Sequence, residues 1–186
     1  MADAVFLDRD GVINEDFGYL HDHKDLHLIP GAASAIHRFN ELSIPVIVVS
    51  NQAGVARGYF SESHIGIFHD ALSQELKKDN SHIDRFYYCP HHPSEGKGKY
   101  ALVCDCRKPM PGLLLQAGKD MNLDLEKCVL IGDKASDIGA GVAAGCQTIL
   151  VMTGYGANEW ETWHESFKPS HVAQNLLDAS TWLLNR

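Results

Sequence analysis

Apolar residues come in short bursts that stop at polar switches. Ala4–Leu7 is apolar and ends at Asp8, and Pro45-Val46-Ile47-Val48-Val49 ends at Ser50-Asn51-Gln52. Val129-Leu130-Ile131 ends at Gly132-Asp133, and Thr148–Val151 is a fourth burst. Unbroken apolar runs of this length, rich in β-branched residues, predict strands buried on both faces. Ile83–Tyr88 is predicted as a further strand. Between the bursts the apolar spacing becomes helical. After Pro30-Gly31, one face carries Ala32, Ala35, Ile36, Phe39 and Leu42. Ser61 is the expected N-cap of a helix reaching about Lys78, with Ile65, Phe68, Leu72 and Leu76 on one side. Helices are also expected at about Gly112–Met121, Ala135–Ala144 and Leu176–Leu184. Strands alternating with helices predict an α/β fold with a doubly wound, mainly parallel sheet. Residues 89–108 are rich in Pro, Gly and Cys, lack periodicity, and read as a loop or insertion. Asp22–Leu28 and Gly154–His171 carry no readable chemistry.

Composition narrows the class. The chain has 186 residues, 45% of them hydrophobic and 22% charged. That suits a single domain over residues 1–186, large enough to build its core without disulfides. The net charge of −8 argues against a generic nucleic-acid binder, although it leaves room for a local cationic pocket. The longest aliphatic run, Val46–Val49, is far too short to span a bilayer, so no membrane partner is expected. The first residues, Met-Ala-Asp-Ala-Val-Phe-Leu-Asp, show no secretory pattern, and a cytoplasmic monomer is the expectation. Five cysteines do not read as a disulfide framework.

The strand ends carry the candidate chemistry. In an open α/β sheet, ligands bind at the carboxyl ends of the strands. Asp8-Arg9-Asp10-Gly11 follows the first burst directly. One carboxylate can attack phosphorus as a nucleophile, and the other can protonate the leaving oxygen and then activate water. Taken alone, such a sequence is equally well a solvated turn. Gly132-Asp133 repeats the pattern of an acid at a strand end, and a third carboxylate makes an oxygen-rich Mg2+ site. Ser50 and Lys108 are candidates to hold phosphate oxygens. Gly139, Gly141 and Gly145 imitate a dinucleotide fingerprint, but their spacing is wrong and they begin well inside the helix. Close helix packing is the better reading.

Cys89-Pro90-His91 and Cys104-Asp105-Cys106 form two ligand pairs separated by a 12-residue loop. Three thiolates and one imidazole make a closed tetrahedral zinc set with no position left for water. The zinc loop, residues 89–106, has no core of its own, and a metal would supply its folding energy. His92 is an alternative ligand, but Pro93 restricts its backbone, which favours His91. Cys128 and Cys146 read as buried thiols.

The ordered set Asp8-x-Asp10-Gly11, Ser50, Lys108 and Gly132-Asp133 resembles the four motifs of the haloacid dehalogenase-like (HAD) phosphohydrolases. The resemblance implies a Rossmann-like sheet with no large cap domain. It implies Asp8 as nucleophile, Asp10 as general acid/base, and Ser50 and Lys108 as stabilisers of the phosphoryl group. Mg2+ would be held by Asp8, Asp133 and the Asp10 backbone carbonyl. The fuller set is similar to the D-glycero-D-manno-heptose 1,7-bisphosphate phosphatases. It consists of Phe6–Gly11, Ser50-Asn51-Gln52, Ala56-Arg57-Gly58, Tyr87–Pro93, Cys104–Pro109 and Val129–Lys134. That likeness implies hydrolysis of one phosphate of a sugar bisphosphate on the route to nucleotide-activated heptose. Its substrate contacts would be Asp16, Phe17, Gly18, Tyr19, Ser50, Asn51, Gln52, Ala53, Arg107, Lys108 and Lys134. Its structural zinc would sit on Cys89, His91, Cys104 and Cys106. Arg57 is a further candidate cation for the phosphates, or a solvated loop arginine. Histidinol-phosphate phosphatase, or a non-catalytic zinc-stabilised binding protein on the same scaffold, are the alternatives.

Overall fold

The computed structural model describes residues 2–185. Its sheet has six parallel strands. They are β1 (Val5–Leu7), β2 (Val46–Asn51), β3 (Arg85–Cys89), β4 (Val129–Gly132), β5 (Gln147–Val151) and β6 (His171–Ala173), in the order β3-β2-β1-β4-β5-β6. The first burst is the centre of the sheet: Val5 pairs with Val46 on one side and Val129 on the other. The chain winds outward from it in both directions.

Side-chain alternation along each strand divides the core into two layers. Val5 and Leu7, Val46 and Val48, and Val129 and Ile131 face one layer. That layer is closed by α1 (Ala32–Glu41) and α7 (Leu176–Leu184). Ala4 and Phe6, Ile47 and Val49, and Leu130 face the other, which is closed by α4 (Gly112–Met121) and α5 (Ala135–Ala144). α3 (Glu62–Lys77) adds Leu72 and Leu76 to the first layer, and the short α2 (Ala53–Arg57) follows the end of β2. The last is α6 (Gly156–Glu161). No helix among the described residues is long and apolar enough to cross a membrane.

Several sequence expectations shift. Leu42, expected on the buried face of α1, caps that helix and is 46% exposed. The strand expected at Ile83–Tyr88 runs from Arg85 to Cys89 and so delivers a candidate zinc ligand from its last position. Gly154–His171 holds α6 and reaches β6, which pairs with β5 at the sheet edge. A three-residue strand has too few positions to show a period. α2 is likewise a single short helix between two polar stretches.

The glycine triplet in α5 is packing. A Cβ on Gly141 would lie 2.4 Å from Thr148 Cγ2 on β5, and one on Gly139 would lie 3.1 Å from Pro109. Gly145 caps the helix with φ of +83°. Gly141→Ala gains up to about 1 kcal/mol of helix propensity. It also forces α5 off β5, at about 1–3 kcal/mol. A net loss of about 1 kcal/mol is expected in urea unfolding, and a stabilised variant would disprove the close contact.

Candidate active site and metal centres

The site starts as an extension of the central strand. The Asp8 N–H donates to Ile131 O on β4 (3.0 Å), so the parallel ladder carries Asp8 to the sheet edge. The chain must then turn beside Asp133, at the end of β4. A Cβ on Gly11 would lie 2.3 Å from Asp133 Oδ2, and Gly11 has φ of +88°. Only glycine fits both demands.

Lys108 enters this edge from the far end of the Cys-rich loop. Its Nζ lies 3.0 Å from Asp8 Oδ1 and 2.6 Å from Asp137 Oδ1, and it donates to Val49 O at 2.7 Å. The backbone of Lys108 is fixed by a reciprocal pair with the Asn51 amide, both bonds 3.0 Å. Burial disfavours its charge, but Asp137 and Asp8 outweigh that and raise the ammonium above the usual lysine range.

The carboxylates are crowded. Asp8, Asp133 and Asp137 each offer an oxygen, and these oxygens all lie within 4.8 Å of one another. Burial, offset in part by Lys108, pushes Asp8 up to about 6. Burial, then Asp137 and Asp8, push Asp133 up to about 8. Asp133 Oδ2 accepts from Tyr155 N, whereas its buried Oδ1 has no partner. Buried hard oxygens in excess of nearby cations fit a divalent ion such as Mg2+.

The third carboxyl of this cluster differs from the one expected. The Asp10 side chain turns away to Arg9, taking Nε at 2.9 Å and a terminal nitrogen at 2.7 Å. Asn14 and Gln52 also donate to it. Burial raises Asp10, but the charge and hydrogen bonds of Arg9 win and hold it below the usual carboxylate range. Asp137 takes its place in the cluster. Its Oδ2 accepts the Lys134 N–H that opens α5 (3.0 Å), so its spacing reads as a helix cap and conceals the second oxygen. Gly132 leaves the room it needs, since a Cβ there would meet Asp137 Cβ at 2.2 Å. Arg9 also escaped the sequence reading. It is wholly buried, lies 4.3 Å over the Phe68 ring and donates to Leu20 O.

A cavity of about 390 Å³ opens above the carboxylates. Asp8, Asp10, Ser50, Asn51, Gln52 and Ala53 form its floor side, with Arg107, Lys108 and Lys134 as cations. Asp16, Gly18 and Tyr19 come from the segment after β1, and Arg57 from α2. Lys134 Nζ lies 3.2 Å from Asp16 and 4.4 Å over the Tyr155 ring. Phe17 does not line the cavity. It is 63% exposed and meets His27 edge-on instead.

The Cys/His set also converges. Cys106 Sγ lies 3.0 Å from Cys89 Sγ, 3.3 Å from Cys104 Sγ and 3.4 Å from His91 Nδ1. All four donors lie within 4.8 Å of one another. A tetrahedral zinc with sulfur at ~2.3 Å requires donor separations of roughly 3.5–3.8 Å; Cys89 Sγ meets this at 3.5 Å from Cys104 Sγ and 3.7 Å from His91 Nδ1, and the Cys106 contacts need to open by a few tenths of an ångström. His92 turns elsewhere, its Nδ1 accepting from Glu95 N.

Comparison with known proteins gives one consistent picture. The HAD-hydrolase-like family model matches residues 105–179. The chain is 42% identical over 155 residues to the D-glycero-β-D-manno-heptose-1,7-bisphosphate 7-phosphatase of Haemophilus influenzae, covering 83% of this chain and 84% of that one. It is 40% identical over 183 residues to the enzyme of that name from Escherichia coli K12, covering 98% and 88%. A crystal structure of D,D-heptose 1,7-bisphosphate phosphatase from B. bronchiseptica, complexed with magnesium and phosphate, superposes with a TM-score of 0.88 at 30% identity, covering 98% of each chain.

The carboxylate crowding predicts a pH signature. Asp133 titrates near 3.8 when unfolded and near 8 when folded and metal-free. The folded state therefore binds the extra proton, and its stability falls as pH rises through that window. In the presence of a chelator at pH 8, Asp133→Asn should unfold about 1–2 kcal/mol later than the wild type, with the gap closing towards pH 4. A wild type more stable than the variant at pH 8 would contradict the crowding.

Proposed function

The chain belongs to the D-glycero-D-manno-heptose 1,7-bisphosphate 7-phosphatases of the HAD-like hydrolases, and on that premise we propose that it hydrolyses the 7-phosphate of D-glycero-D-manno-heptose 1,7-bisphosphate through an aspartyl-phosphate. The product, a heptose monophosphate, would serve nucleotide-activated heptose for lipopolysaccharide or S-layer glycans. The observation that carries this reading is the strand-end cluster of Asp8, Asp133, Asp137 and Lys108 beneath a cation-lined cavity.

Asp8 is the nucleophile. Its carboxylate attacks phosphorus while Lys108 and the Ser50 hydroxyl hold phosphoryl oxygens. Lys108 is itself braced by Asp137 at 2.6 Å, which fixes its ammonium beside Asp8. Asp10 gives its proton to the departing sugar oxygen, then takes one from the water that opens the aspartyl-phosphate. Arg9 holds Asp10 ionised in the free site, so the proton it donates in this first step is one taken up from solvent as the phosphate charge binds beside it. Mg2+ on Asp8, Asp133 and the Asp10 backbone carbonyl would neutralise charge on the phosphoryl group. Arg107 suits bidentate capture of the second phosphate. Asp16, Gly18, Tyr19, Asn51, Gln52, Ala53 and Lys134 line the cavity and would contact the sugar and its phosphates, whereas Phe17 lies outside it.

Zinc on Cys89, His91, Cys104 and Cys106 is structural in this reading, and its last ligand directly precedes Arg107 and Lys108. We propose a monomer in a reducing cytoplasm, where the thiols of the zinc set would stay reduced.

Asp8→Asn should lose more than about a thousandfold in kcat while keeping its circular dichroism and unfolding midpoint, since an amide cannot attack phosphorus. The substrate assignment is tested by phosphate release from both anomers of heptose 1,7-bisphosphate, fructose 1,6-bisphosphate and histidinol phosphate, with Mg2+ titrated into stripped enzyme. A preference for histidinol phosphate, or near wild-type turnover by Asp8→Asn, refutes the proposal.

Elemental analysis should give about one tightly bound zinc per chain. Cys106→Ala should lose that zinc and unfold several degrees lower. A zinc-free chain of undiminished stability would rule the site out.

A further inference from the structure

Four cations line the cavity, and they differ in how firmly each is held. Lys108 is committed to Asp8 and Asp137, whose side chains are 8% and 1% exposed. Lys134 faces Asp16, 11% exposed. Arg107 donates to His91 O and forms no ion pair among the described residues. Arg57, the last residue of α2, differs from all three. Its partner is Glu95 of the zinc loop, whose side chain is 48% exposed. An ion pair that open to water contributes little and exchanges readily, whereas buried pairs do not.

The surroundings of Arg57 are built rather than incidental. Its guanidinium lies 5.1 Å from the centre of the Tyr19 ring, and Tyr19 is braced edge-on by Tyr59 at 4.8 Å. Its Nε is buried without a partner. Glu95 also borders His92, whose Nδ1 accepts from Glu95 N and whose Nε2 lies 3.9 Å from the Glu95 carboxylate. Arg57 is thus held by Glu95 and Arg107 by His91 O of the same loop, and both guanidinium groups line the cavity that Asp8 also lines.

We propose that Arg57 selects doubly phosphorylated substrates by exchanging the Glu95 carboxylate for the substrate's second phosphate. The assignment rests on the sugar-bisphosphate reading above and adds a specificity residue and its internal competitor. Glu95 occupies Arg57 in the free enzyme and yields to a dianion that Arg107 can share. A sugar carrying only the reacting phosphate has nothing to offer Arg57, so the Glu95 pair stays closed. Tyr19 holds the guanidinium plane in place during the exchange.

The test is kcat/KM for heptose 1,7-bisphosphate divided by kcat/KM for heptose 7-phosphate. It is measured in wild type, Arg57→Gln, Arg57→Lys, Glu95→Gln and the Arg57→Gln/Glu95→Gln double variant. Arg57→Gln should lower the ratio about 10- to 100-fold through KM of the bisphosphate. Arg57→Lys should fall between it and wild type. Glu95→Gln should raise the ratio about two- to fivefold, and that gain should vanish in the double variant. Equal losses on both substrates, or a lower ratio in Glu95→Gln, would show that the pair only braces the mouth and would overturn the proposal. A wild type with no preference for the bisphosphate refutes the sugar-bisphosphate reading itself. A bisphosphate-selective wild type whose variants keep its ratio refutes only the role of Arg57.

Discussion

The buried ammonium of Lys108 sets the geometry of the strand-end face. It touches Asp8 after β1, Val49 O on β2 and Asp137 on α5, and so ties together three elements far apart in sequence. Removing one partner of a buried pair leaves a charge without compensation, at about 3–5 kcal/mol. That cost keeps the edge of the sheet from relaxing. Lys108 neutralises part of the acid cluster, and the remainder keeps Asp133 largely protonated in the metal-free chain. A divalent cation would relieve the same crowding that protonation relieves, and the hard oxygen donors suit one.

Asp8 and Asp10 lie two residues apart and are pushed in opposite directions. Asp8 rises because it is desolvated beside other acids, while Asp10 falls because Arg9 grips both its oxygens. Two carboxylates so close in sequence thus sit in opposed environments, one desolvated beside other acids and one clamped by a guanidinium. Arg9 links this balance to the segment after β1 through Leu20 O, 11 residues along the chain.

The Cys-rich loop joins the Cys/His cluster to the lining of the cavity. It begins at Cys89 on the end of β3 and ends at Cys106, two residues before Lys108. Between these points it supplies Glu95 to Arg57, and Lys97 N to Ala56 O at 2.8 Å. With no large cap, the mouth of the cavity is shaped by this loop, α2 and the segment around Tyr19.

Much was legible because it is local. Strand bursts, helix faces and the acids that terminate Leu7 and Ile131 follow from covalent spacing and the two periods of backbone structure. The Cys89, His91, Cys104 and Cys106 convergence was legible too, since each pair is nearly contiguous. Asp137 was hidden because capping a helix is a complete explanation for an acid at that position. Arg9 was hidden because a charged residue is usually solvated, and Phe17 and Leu42 were misplaced because segment ends turn unpredictably. β6 exists only because β5 offers it an edge. The sequence by itself determined which groups stand at the strand ends. The tertiary structure decided which of them face one another. Strand order, Lys108 crossing to β1, and Asp137 joining the carboxylates of Asp8 and Asp133 all depend on tertiary packing, which no local period encodes.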